Sequence, residues 1–108
     1  MTVSELSEKC SFEIISMPNP SRQVKGCYIG DLLSWVMGRA KENEAWITIM
    51  SNINTVAVAS LADVSVVILS ENVKISDEIK NAAVEKGINI VSSSLPSYET
   101  AIEISGLV

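Results

Sequence analysis

Short β-branched runs alternate along this chain with stretches whose apolar residues recur at helical spacing. The opening TVSELSEKC sets Thr2 three residues before Glu5, the spacing of a capping box, and puts Val3 and Leu6 on one face of a short helix. SFEIISM (11–17) alternates apolar and polar positions and predicts a strand. PNPSRQVKG is a connection, because Pro18 and Pro20 bias their predecessors away from helix; it ends in a short extended piece at Val24. From Ile29 to Ala40 the residues Ile29, Leu32, Leu33, Val36, Met37 and Ala40 follow a helical period, with Asp31 in the first turn.

AWITIM (45–50) and VSVVILS (64–70) read as strands. NTVAVASLAD (54–63) lies between them and predicts a crossover helix despite its valines. SDEIKNAAVEKG carries Ser76 as N-cap, two acids in the first turn and Gly87 as the C-terminal glycine. INIVSS (88–93) gives the last strand and SYETAIEISG (97–106), capped by Ser97, the last helix. Alternating strands and helices imply one α/β domain over residues 1–108, a layered sandwich with a mainly parallel sheet.

Composition narrows the function classes. The chain has 108 residues, 47% of them hydrophobic and only 5% aromatic, so its core is aliphatic. Thirteen acids against eight bases give a net charge of -5, which repels phosphate backbones and argues against nucleic acid as a partner. The longest apolar stretch, Val56 to Leu69, is interrupted by Ser60, Asp63 and Ser65 and falls short of the roughly 20 residues that span a bilayer. The amino terminus lacks the pattern of a signal peptide. A soluble cytoplasmic protein with reduced thiols is the expectation. Two cysteines and no histidine make neither a zinc cage nor an iron–sulfur site, so neither metal nor cofactor is expected.

Parallel sheets bind ligands where strands deliver their carboxyl ends. Those ends carry Ser51, Asn52 and Asn54 after one strand, Ser70 after another, and Ser92 and Ser93 at the last. Their hydroxyls and amides could hold a small ligand, or could simply satisfy turns and caps. Arg22 and Lys25, with Gly26, Tyr28 and Asp31, form a second candidate group suited to an anion. Asp31 could bind a metal or a ribose hydroxyl, or serve the helix dipole. Gly26 and Gly30 fit neither a Walker loop nor a dinucleotide fingerprint. No serine nucleophile elbow is present, and without histidine the usual base is missing, so no catalytic residue is assigned. Cys27, near Lys25 and Arg22, is either a thiol of lowered pKa or a small buried hydrophobe. Trp35 and Trp46 read as core or interface anchors.

RQVKGCYIGDLLS, with Arg22, Val24, Gly26, Tyr28, Gly30, Asp31, Leu32, Leu33 and Ser34, and NTVAVASLAD, with Asn54, Val56 to Leu61 and Asp63, resemble the DRTGG domain over nearly the whole chain. Lys25 stands where threonine is common in that pattern, and Cys27 replaces its second glycine. The resemblance is to the small stand-alone type found near iron hydrogenase components in anaerobic bacteria, and the domain is similar to the amino-terminal domain of HPr kinase/phosphorylase. It implies an α/β homodimer with a regulatory or ligand-sensing role and no catalysis of its own. Together with the polar strand-end loops and with Arg22 and Lys25 near the glycine turn, it points to a small anionic or nucleotide-like ligand at those loops. The alternative is a structural partner that docks on a hydrogenase or electron-transfer complex through an apolar surface patch.

Overall fold

A computed structural model of the chain describes residues 1–108. The elements run α1 (Val3–Lys9), β1 (Glu13–Ser16), β2 (Cys27–Ile29), α2 (Leu33–Arg39), β3 (Ala45–Thr48), α3 (Ile53–Ala62), β4 (Val66–Leu69), α4 (Asp77–Glu85), β5 (Ile90–Ser92) and α5 (Ser97–Ser105). The sheet order is β1-β5-β4-β3-β2, with β1 antiparallel to β5 and every other pair parallel.

Burial explains why the central segments are strands. All four residues of β3 and of β4 are buried, so both faces of the sheet are covered, and side-chain alternation sorts them into two cores. Trp46, Val67, Leu69 and Ile90 pack with Val36, Val56, Val58, Ala59 and Ala83 from α2, α3 and α4. Ala45, Ile47, Val66, Ile68 and Val91 pack with Val3, Leu6 and Ile104 from α1 and α5 on the opposite face. The result is the expected layered α/β sandwich, with helices on both faces of the sheet.

Local signals account for the helix ends. Thr2 and Glu5 form the reciprocal capping box of α1, and these bonds hold the Glu5 carboxyl below the usual carboxylate range. Ser76 caps α4 through the Ile79 amide, and Gly87 ends it at φ +74°. The valines of α3 do not prevent the helix, because Val56 and Val58 are buried against the sheet. Asp63 closes α3 in the left-handed region at φ 57°.

Two local expectations are corrected. The helix expected from Ile29 begins at Leu33, and residues 27–29 form β2, paired in register with Ala45–Ile47. Ile29, Leu32 and Leu33 satisfy helical spacing across the strand, turn and helix, so periodicity alone merges them. Ser97 does not cap α5; Pro96 holds that position, and the Ser97 hydroxyl hydrogen-bonds that of Ser70 at 2.7 Å.

Candidate functional site

The residues singled out in the sequence separate to the two ends of the sheet. Arg22, Lys25 and Gly26 lie where β2, β3 and β4 begin. The Arg22 guanidinium donates to Asn43 Oδ1 at 3.2 Å, to the Asp63 carbonyl at 2.6 Å and to Asp63 Oδ1 at 2.7 Å, and the Lys25 amide donates to the Asn43 carbonyl. Arg22 is thus a strut that ties the chain before β2 to the turns before β3 and β4. Lys25 is exposed. Gly26 has φ +145°, and a Cβ there would come within 3.3 Å of Glu44 Oε2, so this position uses the backbone freedom of glycine.

Asp31, Ser51, Asn52, Asn54, Ser70, Ser92 and Ser93 lie at the other end, about 13 Å away across a four-residue strand. Asp31, grouped with Arg22 and Lys25 by nearness in sequence, is therefore at the opposite end of the sheet from them, and the three do not form one anion site. Tyr28 sits between them on β2, half-buried, with its ring against Gly30.

At the carboxyl end most hydroxyls are engaged within the fold. Ser70 is fully buried on Ser97, Ser93 is bonded to Thr100 at 2.8 Å, and Ser92 is buried in β5. Asn52 caps α3, its Oδ1 accepting from the amides of Asn54 and Thr55, and its amide nitrogen makes no bond within the chain. Asp31 is not in a helical first turn. Its Oδ1 accepts from Thr48 Oγ1 at 2.8 Å and from the Ile49 amide at 3.0 Å, joining the ends of β2 and β3. Oδ2 makes no bond within the chain, and the residue is exposed.

Asp31, Ser51, Asn52 and Asn54 thus collect on the loops after β2 and β3, beside the exposed side chains of Ile49 and Ile53. Ile49 and Ile53 were not among the sequence candidates. As apolar residues flanking polar loops, they were hidden by their likeness to ordinary strand and helix positions. The surface depression lined by Glu5, Glu8 and Lys9 contains none of the strand-end residues. No three His, Cys, Asp or Glu side chains come together as a metal-ligand group, and no helix is long and apolar enough to cross a membrane.

The surroundings of Cys27 favour its reading as a small side chain packed against the core. Burial, then the Glu44 carboxylate, push its thiol up to about 11, with a partial opposing effect from a backbone hydrogen bond to Ile47. The neighbouring cations do not lower it: Arg22 is held on Asp63, and Lys25 is exposed. At pH 7.5 its alkylation is expected to be about two orders of magnitude slower than that of an ordinary thiol, because the thiolate is scarcer by that factor. Iodoacetamide labelling followed by peptide mass spectrometry measures this, and a rate that levels off near pH 9 would count against it. The folded state binds this proton more tightly than the unfolded chain does. Its stabilising contribution is therefore complete below the ordinary thiol range and is lost as pH rises towards about 11.

The solved structures include a similar one: the CBS and DRTGG domains of the regulatory region of Clostridium perfringens pyrophosphatase, complexed with its activator diadenosine tetraphosphate. It aligns at a TM-score of 0.77 and 15% identity over 95% of the present chain, which spans 45% of that one. At that identity the likeness shows the fold. No curated protein matches. The glycine turn before β2, the Asp31 bridge and α3 with its Asn52 cap all lie within residues 5–107, which match the model of the DRTGG domain. The chain belongs to the DRTGG domain family.

Proposed function

We propose that this chain is a non-catalytic regulatory domain that senses a small nucleotide-like ligand at the loops after β2 and β3. The observation that carries this reading is the grouping of exposed Asp31, Asn52 and Asn54 with half-buried Ser51, beside Ile49 and Ile53. A carboxylate oxygen and an amide donor next to apolar side chains suit a ribose and base better than a bare phosphate. The adenine nucleotide bound by the regulatory region of the pyrophosphatase supports the same class.

The test is a thermal-shift panel of nucleosides, mononucleotides and dinucleoside polyphosphates. A ligand at about 100 times its Kd stabilises the fold by about 2.7 kcal/mol, a shift of many degrees for a domain of this size. Asp31→Asn keeps an acceptor for Thr48 and removes the charge, and it is expected to weaken binding about tenfold. No shift with any member of the panel at millimolar concentration would remove the sensing role.

The same reading has the domain acting as a homodimer in the cytoplasm. A second reading, a structural partner for a hydrogenase or electron-transfer protein, is favoured by the exposure of Leu32 at the N-cap of α2 and of Trp35 on it. Co-purification with such a protein, and failure of the nucleotide panel, would select it.

A further inference from the structure

The apolar face read from the sequence between Ile29 and Ala40 is wider than the face this fold covers. Of its six residues only Val36 is buried, while Ile29, Leu32 and Met37 are 49%, 61% and 46% exposed, and Trp35 beside them is 54% exposed under the Arg39 guanidinium. These residues sit on edge strand β2 and on the helix that follows it. The two edges of the sheet differ. β1 carries Glu13 and a register irregularity between Ile14 and Ser16, both of which blunt an edge against pairing. β2 reads Cys-Tyr-Ile, with no charge, proline or bulge.

The hydrogen-bond phase of β2 is also fixed. Gly26 accepts from the Ala45 amide and Gly30 donates to the Ile47 carbonyl. In a parallel ladder the groups of residues 26, 28 and 30 therefore face β3, and the N–H and C=O of Cys27 and Ile29 face outward.

We infer that β2 pairs antiparallel with β2 of a second copy about a two-fold axis at Tyr28, joining the two sheets edge to edge. This locates the homodimer of the preceding reading and rests on it. Cys27 then lies opposite Ile29 of the second copy on both sides of the axis, giving about four main-chain hydrogen bonds. Under this rotation the outward donors and acceptors of Cys27 and Ile29 meet their own counterparts, so the edge is self-complementary. Four hydrogen bonds on so short a strand do not hold a dimer. The exposed Ile29, Leu32 and Trp35 supply apolar area beside them.

Sedimentation equilibrium from about 10 to 200 μM tests the pairing, a range suited to the modest affinity of a small interface. The native chain is expected to be dimeric, and Ile29→Lys, at a half-exposed position, is expected to raise the dimer Kd at least tenfold while leaving the circular dichroism unchanged. In a second variant, Ile29→Cys, the introduced thiol faces native Cys27 of the second copy at a Cα separation of about 5.5 Å, within disulfide range. Mild oxidation should then yield a covalent dimer whose linked peptides join positions 29 and 27, and adding Cys27→Ser should abolish it. A chain that stays monomeric at the highest concentration overturns both the homodimer and the pairing. A dimer that is indifferent to Ile29→Lys and forms no 29-to-27 link overturns the edge pairing alone.

Discussion

Replacing Trp46 by alanine is expected to lower the unfolding free energy by about 3–5 kcal/mol, a large share of what a domain of this length possesses. Trp46 has no exposed surface and sits on β3 at the centre of the core shared with α2, α3 and α4. Its indole Nε1 also donates to the Gly30 carbonyl at 2.8 Å, in the turn between β2 and Asp31. The alanine variant thus leaves a cavity and frees the turn that carries Asp31. Urea denaturation followed by circular dichroism measures the loss; a change below about 1.5 kcal/mol would show that the core closes around the gap. Trp46→Phe separates the two contributions. It keeps most of the volume and removes the hydrogen bond, for an expected cost of about 1–3 kcal/mol.

The second large effect is expected at Asn89, only 2% exposed immediately before β5. Its side chain accepts from the Asn19 amide at 2.9 Å and donates to the carbonyls of Asn19 at 2.8 Å and Ser65 at 3.0 Å, holding the Pro18–Pro20 connection against the sheet. Asn89→Ala leaves the Ser65 carbonyl without that donor, while the groups of exposed Asn19 regain water. The expected cost is about 2–3 kcal/mol, again by urea denaturation. Asn89→Asp keeps the acceptor for Asn19 and loses the donors. A loss as large as that of alanine would assign the effect to the donated bonds, and a small loss would assign it to the accepted one.

Much of the fold was legible because its signals are local. The capping box at Thr2, the Ser76 cap, Gly87 and the β-branched runs of β3 and β4 each act within a few residues of where they are read. β2 was missed because three residues between glycines are too few for a period, and its identity as a strand comes from β3, eighteen positions downstream. The candidate site was less legible for the same reason. Asp31 looks like a dipole partner until Thr48 is beside it, and Arg22 looks like a free cation until Asp63, 41 residues on, is found in contact with it. Ser70 and Ser93 are ordinary loop serines in sequence, but in three dimensions their hydroxyls are already taken. Residue type predicted which groups could bind, and only the packing decided which remained available.

The antiparallel seam between β1 and β5 bears on how the chain folds. From β2 to β5 each strand pairs with the next in sequence through a single crossover helix, so that part can assemble by successive short closures. β1 has no such neighbour. Its bond from Ser16 Oγ to the Ile88 carbonyl spans 72 residues, so the loop entropy of closing it is compensated only once β5 is in place. The strand and the helix before it are therefore the last piece to dock and the first to detach, and the core under α1 is where a partly open form would first meet solvent.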